Sequence, residues 1–236
     1  MELKTTTNQN MQQKAAVFSA IALFIMTFAA FFAQGYVHSS LVIEGDAVTT
    51  LKNIQASQVL FRLEVLGWLI IIIMDLIVSW GFYVFLKPLH PAYAFLGGWL
   101  RFLYTAILAN AVSHLVITNS VFQNSVLGTW SRVSQQAMDS ITAFEAIWSF
   151  GLIIFGLHLI VVGLIAMKTI MIPKLISILV VLAGFSYSLV HFMYNFIPQI
   201  ENVIGLLELI LMAPMVIGEL GFGIWLFVKG RKITMD

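Results

Sequence analysis

Apolar residues run along this chain in six continuous stretches, separated by polar and proline-bearing breaks. A membrane span needs about 20 apolar residues to cross about 30 Å of hydrocarbon. The stretches near 15–35, 60–86, 92–117, 144–167, 173–196 and 203–228 all meet that length. The pattern predicts an all-α, polytopic transmembrane bundle of six spans, forming a single membrane domain over 1–236. A transmembrane β-barrel would need alternating apolar and polar positions, and these runs do not alternate. Lys87-Pro88 and His90-Pro91 close the second span, Pro173 opens the fifth and Pro198 follows it. Proline suits a helix start because the first N–H groups have no partner there.

The basic residues predict an orientation. With the N-terminus inside, the cytoplasmic side holds Lys4, Lys14, Lys87, Lys168, Lys174, Lys229, Arg231 and Lys232. The outer loops hold Lys52 and Arg132, and Arg62 and Arg101 fall within spans. Both termini are therefore expected in the cytoplasm of a multi-pass cell-membrane protein. Two outer loops, 36–59 and 118–143, are expected to be long, and the inner connections short. The first stretch is too long for a typical signal core and no A-x-A site ends it, so it reads as an uncleaved helix.

Composition narrows the reading. Of 236 residues, 60% are hydrophobic and 10% charged, against about 25% charged in an average soluble domain. Mean hydropathy is +0.96. The formal net charge of +1 provides no basic field, so no nucleic-acid partner is expected. There is no cysteine, which excludes disulfides and thiolate metal sites.

The informative residues are ionisable groups inside the spans. Such groups are costly in hydrocarbon and normally face the bundle interior with partners. At 1.5 Å per residue, Asp75 lies roughly 16 Å from the inner end of its span. Arg101, His158 and Glu219 lie roughly 14 Å from the inner ends of theirs. Four groups on four helices thus share one depth: two carboxylates, a guanidinium and an imidazole. Asp75 and Arg101, on adjacent antiparallel helices, are the expected bidentate pair. These four form the candidate ligand or proton site.

A second layer lies toward the outer ends: Arg62, Glu64, His114, Glu145, Tyr187, His191 and Glu208. Several of these side chains can snorkel to the interface. Gly184, Tyr187, His191 and Asn195 share one helical face, which can line a cavity or bond a neighbouring helix. A series recurs on three helices: Glu64, Asp75, Lys87; Glu145, His158, Lys168; Glu208, Glu219, Lys229. It is compatible with three repeated hairpins, although the lysines follow from the orientation rule. Pro214 is expected to kink the last span. Gly218, Gly221 and Gly223 suit tight packing around Glu219. The tryptophans mostly suit interface belts. No P-loop, G-x-G-x-x-G, G-x-S-x-G or H-E-x-x-H is present, and no metal or other cofactor is assigned.

The order of short motifs carries a resemblance. Leu60-Phe61-Arg62-Leu63, Asp75, Leu86-Lys87-Pro88 and Arg101 are followed by Phe155-Gly156-Leu157-His158-Leu159 and Pro173. Ala183-Gly184 with Tyr187, Gly218-Glu219-Leu220, and Trp225 before Lys229-Gly230 complete the order. From about Ala15 to Arg231 the chain resembles the bacterial domain-of-unknown-function family 4386. The resemblance implies a six-helix membrane protein and no activity, so it carries over no catalytic residues.

Three function classes follow from the residues. The first is small-ligand binding or proton-linked transport at Asp75, Arg101, His158 and Glu219, with a homodimer expected for so small a carrier. The second is a structural, partner or sensor protein whose polar layer clasps the helices. The third is an intramembrane enzyme acting on lipid, with Asp75, His158 and Glu219 as acid–base groups or metal ligands; the balance leans away from an enzyme. The bilayer is the one partner the sequence names, and the ligand is unknown.

Overall fold

The structure is a computed structural model that describes the backbone of residues 2–123 and 130–232 and the side chains of 9–120, 130–230 and 232. The middle of the second long loop, 124–129, lies outside the described residues, as do the side chains of Lys4 and Arg231. The chain forms α1 (Glu2–Ala30), a π-helical segment (Phe31–His38), α2 (Ser39–Leu41), α3 (Ala47–Ala56) and α4 (Gln58–Leu86). Then come α5 (Pro91–Gln123), α6 (Trp130–Ala166), α7 (Lys174–Phe196) and α8 (Glu201–Val228). There is no strand among the described residues. Among the described residues, six helices are long and apolar enough to cross a membrane: Gln9–Leu41, Gln58–Leu86, Pro91–Ser120, Trp130–Ala166, Lys174–Phe196 and Pro198–Val228. The molecule is a polytopic helical membrane protein.

Helices overrun several of the apolar stretches, and two of the overruns reach well into the expected outer loops. The first continues past Ala30 through π turns and α2 to Leu41, well into the expected outer loop. Ala33, Val37 and Leu41 are buried at steps of four, so this end has an apolar face despite its polar residues. Likewise α6 starts at Trp130, where a loop to Ala143 is expected. Ser134, Ala137 and Ile141 are buried there, while Gln135 donates to Asp139 at 2.9 Å on the outer face. An amphipathic turn buries one stripe without making a long apolar run, so span length does not register it.

The remaining piece of the first outer loop is also helical. Asp46 caps α3 by accepting from the Thr49 amide at 2.9 Å, which satisfies one of the orphan donors at that end. Gly45 before it takes φ +73°, a left-handed conformation that favours glycine.

The chain divides into two compact units. Unit one comprises Met1–Phe24, Met74–Thr105 and Ser149–Asp236; unit two comprises Ile25–Ile73 and Ala106–Trp148. In unit one, backbones approach closely at glycines. A Cβ at Gly156 would collide with Ser188 and the Gly184 carbonyl, so α6 and α7 cross on bare backbone. A Cβ at Gly218 would stand 2.5 Å from the Leu179 carbonyl, which fixes α8 against α7. At Gly221 nothing lies within 4 Å, so of these two glycines beside Glu219 the packing reason holds for Gly218 alone. Pro214 sits inside α8, which continues past it. In unit two, Trp68 is buried against Phe144 and Trp148, at ring separations of 5.2 and 4.9 Å. Trp68 is therefore core and not interface belt.

Candidate functional site

In unit one, Arg101 is the meeting point of four helices. Its Nε and Nη2 donate to Asp75 Oδ1 at 2.8 and 2.6 Å. Nη2 also reaches Glu219 Oε1 at 3.4 Å, and Nη1 lies 3.4 Å from His158 Nε2. Three of the four side chains singled out by depth thus surround the guanidinium of the fourth. The series seen on three helices has a spatial counterpart here, because α4, α6 and α8 each bring one group to an arginine on α5.

Local sequence explains the placement. Asp75, Ser79 and Phe82 follow at steps of four and three, on one face of α4. Ser79 donates to the Gly98 carbonyl at 2.8 Å and so ties α4 to α5. Gly97 lies one turn before Arg101, and its carbonyl stands 2.8 Å from His158 Nδ1. A carbonyl only accepts, so the hydrogen-bond partners assign the proton to Nδ1. His158 Nε2 then turns a lone pair toward Arg101, and the ring is neutral. Phe82 and Phe155 flank the guanidinium, with ring centroids 5.7 and 5.1 Å from its carbon, adding cation–π attraction.

The Asp75–Arg101 pair departs from the expected fork. Both donors run to Oδ1, and Oδ2 is buried with no hydrogen-bond partner among the described residues. Asp75 and Arg101 are sealed, with side chains 1% and 0% exposed, whereas Glu219 is 19% exposed. With both carboxylates ionised, the formal charge of the group is −1. One further proton would make it neutral. A metal held by Asp75, His158 and Glu219 would compete with Arg101, which already draws all three. Among the described residues, no set of three ligating side chains is arranged to hold a metal ion.

The second layer separates into different environments. Glu64 and Glu145 come together in unit two, where His38 bridges them. Its Nδ1 lies 2.7 Å from Glu64 Oε1 and its Nε2 lies 3.0 Å from Glu145 Oε1. Sequence reasoning missed His38 by leaving it in a loop. The signal was two carboxylates within spans and no basic partner assigned to them. Glu64 Oε2 is buried without a hydrogen-bond partner. A cavity of about 550 Å³ opens on the His38 and Glu145 side of this triad. Arg62 is exposed and His114 half-buried.

Tyr187, His191 and Glu208 belong to unit one. The Tyr187 ring packs edge-on against Phe155 at 5.1 Å, and Phe155 flanks the Arg101 guanidinium, so Tyr187 adjoins the inner cluster through that ring. Its ring stacks on His191 at 6.3 Å. His191 Nδ1 lies 3.0 Å from the Ser149 hydroxyl, to which Asn195 also donates at 3.0 Å. Glu208 accepts from the Tyr194 hydroxyl at 2.8 Å.

Comparison with known proteins agrees with the span and motif reading. The family described as a domain of unknown function (DUF4386) matches residues 19–230, a range that holds both the Arg101 cluster and the His38 triad. The chain is similar to an uncharacterized protein of Archaeoglobus fulgidus, 26% identical over 171 residues. That match covers 72% of this chain and 86% of the relative. No solved structure matches. From the extent of the family match, the chain belongs to the domain-of-unknown-function family DUF4386.

Proposed function

We propose that this is a proton-linked carrier or small-ligand-binding protein of the cell membrane, with the Arg101 cluster as its proton-exchanging element. Both termini are assigned to the cytoplasm on the lysine and arginine distribution. The observation that carries the reading is one arginine shared by two carboxylates from different helices, with Asp75 Oδ2 unpartnered. Magnitudes favour function over adhesion. An ionised side chain at mid-span costs at least about 2.5 kcal/mol, while a hydrogen bond between spans contributes about 0.6 kcal/mol on average. A group with one charge in excess binds a proton reversibly, and Glu219, the most exposed of the four, is the point of entry.

The second reading is a packing clasp. The burial of Asp75, Arg101 and His158 favours it. Proton entry into proteoliposomes loaded with a pH-sensitive dye separates the two. Wild-type protein should pass protons after a pH step, and Glu219→Gln should lose most of that rate while unfolding at the wild-type temperature. Equal rates in the two, or a rate no greater than that of empty vesicles, would exclude the proton role. A lowered unfolding temperature without a change in flux is the result the clasp requires.

A further inference from the structure

The cavity in unit two has a chemistry of its own. His38, Ser39, Glu44, Gln135, Thr142 and Glu145 supply its polar lining. Its volume of about 550 Å³ falls in the usual range of small-ligand sites, about 300–1,000 Å³. No lysine or arginine lines it, among the described residues.

The proton count gives the sign of the ligand. Both His38 nitrogens face carboxylate oxygens, at 2.7 and 3.0 Å. Either the imidazole carries two N–H groups between two carboxylates, or one carboxyl holds the proton. The triad has formal charge −1 in both cases. Glu44 also lines the cavity and adds a second negative charge. Behind His38, Glu64 is fully buried and its Oε2 has no hydrogen-bond partner, so the negative charge is under-compensated on the protein side. The lining charge therefore suits a cation.

The lining also tells what kind of cation. Among the described residues no three ligating side chains are arranged to hold a metal, because His38 spends both nitrogens on the carboxylates. Among the described residues no Phe, Tyr or Trp lines the cavity, which there lacks the aromatic cage that suits quaternary ammonium. What remains is a set of oxygen acceptors: the Glu44 and Glu145 carboxylates, the Gln135 carboxamide and the Thr142 hydroxyl. Such a set recognises N–H donors. We propose that this cavity binds a primary ammonium group between Glu44 and Glu145, as a site separate from the Arg101 cluster. The group belongs to a soluble amine or to an aminated lipid headgroup, which present the same chemistry.

The test uses the full chain in phosphatidylcholine nanodiscs, whose headgroup has no N–H, and calorimetric titration with n-propylammonium and tetramethylammonium. Saturable binding of n-propylammonium is expected, about tenfold weaker in Glu145→Gln and in Glu44→Gln, since each loses one charge-assisted hydrogen bond. Glu201→Gln, which removes an exposed acid at the start of α8, should leave the affinity unchanged. Glu145 is 46% exposed, so its glutamine variant should fold, and its unfolding temperature verifies that. Tetramethylammonium should bind far more weakly. Adding phosphatidylethanolamine to the discs identifies the source: competition assigns the ammonium to a headgroup, and unchanged binding assigns it to a soluble amine. The proposal is overturned if n-propylammonium fails to saturate, if both glutamine variants bind as tightly as wild type, or if tetramethylammonium binds equally well.

Discussion

The Arg101 cluster and the His38 triad solve one problem with different cations. Each sets a single basic side chain between carboxylates from two helices, and each leaves one carboxylate oxygen buried without a partner, Asp75 Oδ2 and Glu64 Oε2. They differ in what can change. A guanidinium keeps its charge at any pH a protein meets, so only the acids around Arg101 can take up or release a proton. In the triad one proton can sit on the imidazole or on a carboxyl, so the charged partner itself can change while the total stays at −1. They differ also in closure. Asp75 and Arg101 are sealed, whereas Glu145 is 46% exposed beside a cavity. The Arg101 site opens only at Glu219, which is 19% exposed, whereas the triad opens on a cavity.

The comparison breaks most readily at its cations. Arg101→Ala strands two carboxylates in the span and should cost about 3–5 kcal/mol, as when a buried pair loses one member. Unfolding in mixed micelles measures it, and a loss under about 1 kcal/mol would mean the cluster is hydrated and not sealed. His38→Ala should cost less, about 2–3 kcal/mol, because one of its two acids already meets solvent. Equal losses in the two variants would erase the distinction between a closed site and an open one.

Smaller effects sharpen the same contrast. Glu145→Gln should change stability by less than about 1 kcal/mol, as for an exposed ion pair, even though it weakens ammonium binding. The smallest effect lies at the Asp46 cap of α3. The Thr49 hydroxyl, then the Thr49 amide, hold this carboxyl below its usual 3.8. A lowered folded-state value means the cap's contribution is complete above the ordinary aspartate range and fades as pH falls through the lowered value. The protection of the Thr49 and Thr50 amides, as hydrogen exchange relative to the intrinsic rate at each pH, should therefore fall only in acid, with no change around neutrality.

The spans and the depth of the four buried groups were legible from sequence because both rest on one-dimensional quantities, apolar run length and rise per residue. That arithmetic placed Asp75, Arg101, His158 and Glu219 at one level, and the structure has them in contact. It could not reveal that both Arg101 donors choose Asp75 Oδ1, since the choice of oxygen depends on side-chain packing. It also missed His38, because π turns carry the first helix beyond its apolar stretch and into reach of Glu64. Tyr187 looked peripheral for a related reason: helical spacing tied it to His191 but said nothing of its contact with Phe155, the ring on another helix that flanks Arg101.

The central claim is that one exchangeable proton resides on the two carboxylates that share Arg101. Infrared pH-difference spectra of the protein in nanodiscs test it directly, compared among wild type, Asp75→Asn, Glu219→Gln and Glu64→Gln. Removing either acid leaves one carboxylate opposite one guanidinium, with no proton required. The expected result is a protonated-carboxyl band in wild type that both Asp75→Asn and Glu219→Gln abolish and Glu64→Gln leaves in place. A wild-type spectrum without such a band, or a band that survives in both variants, would contradict the account.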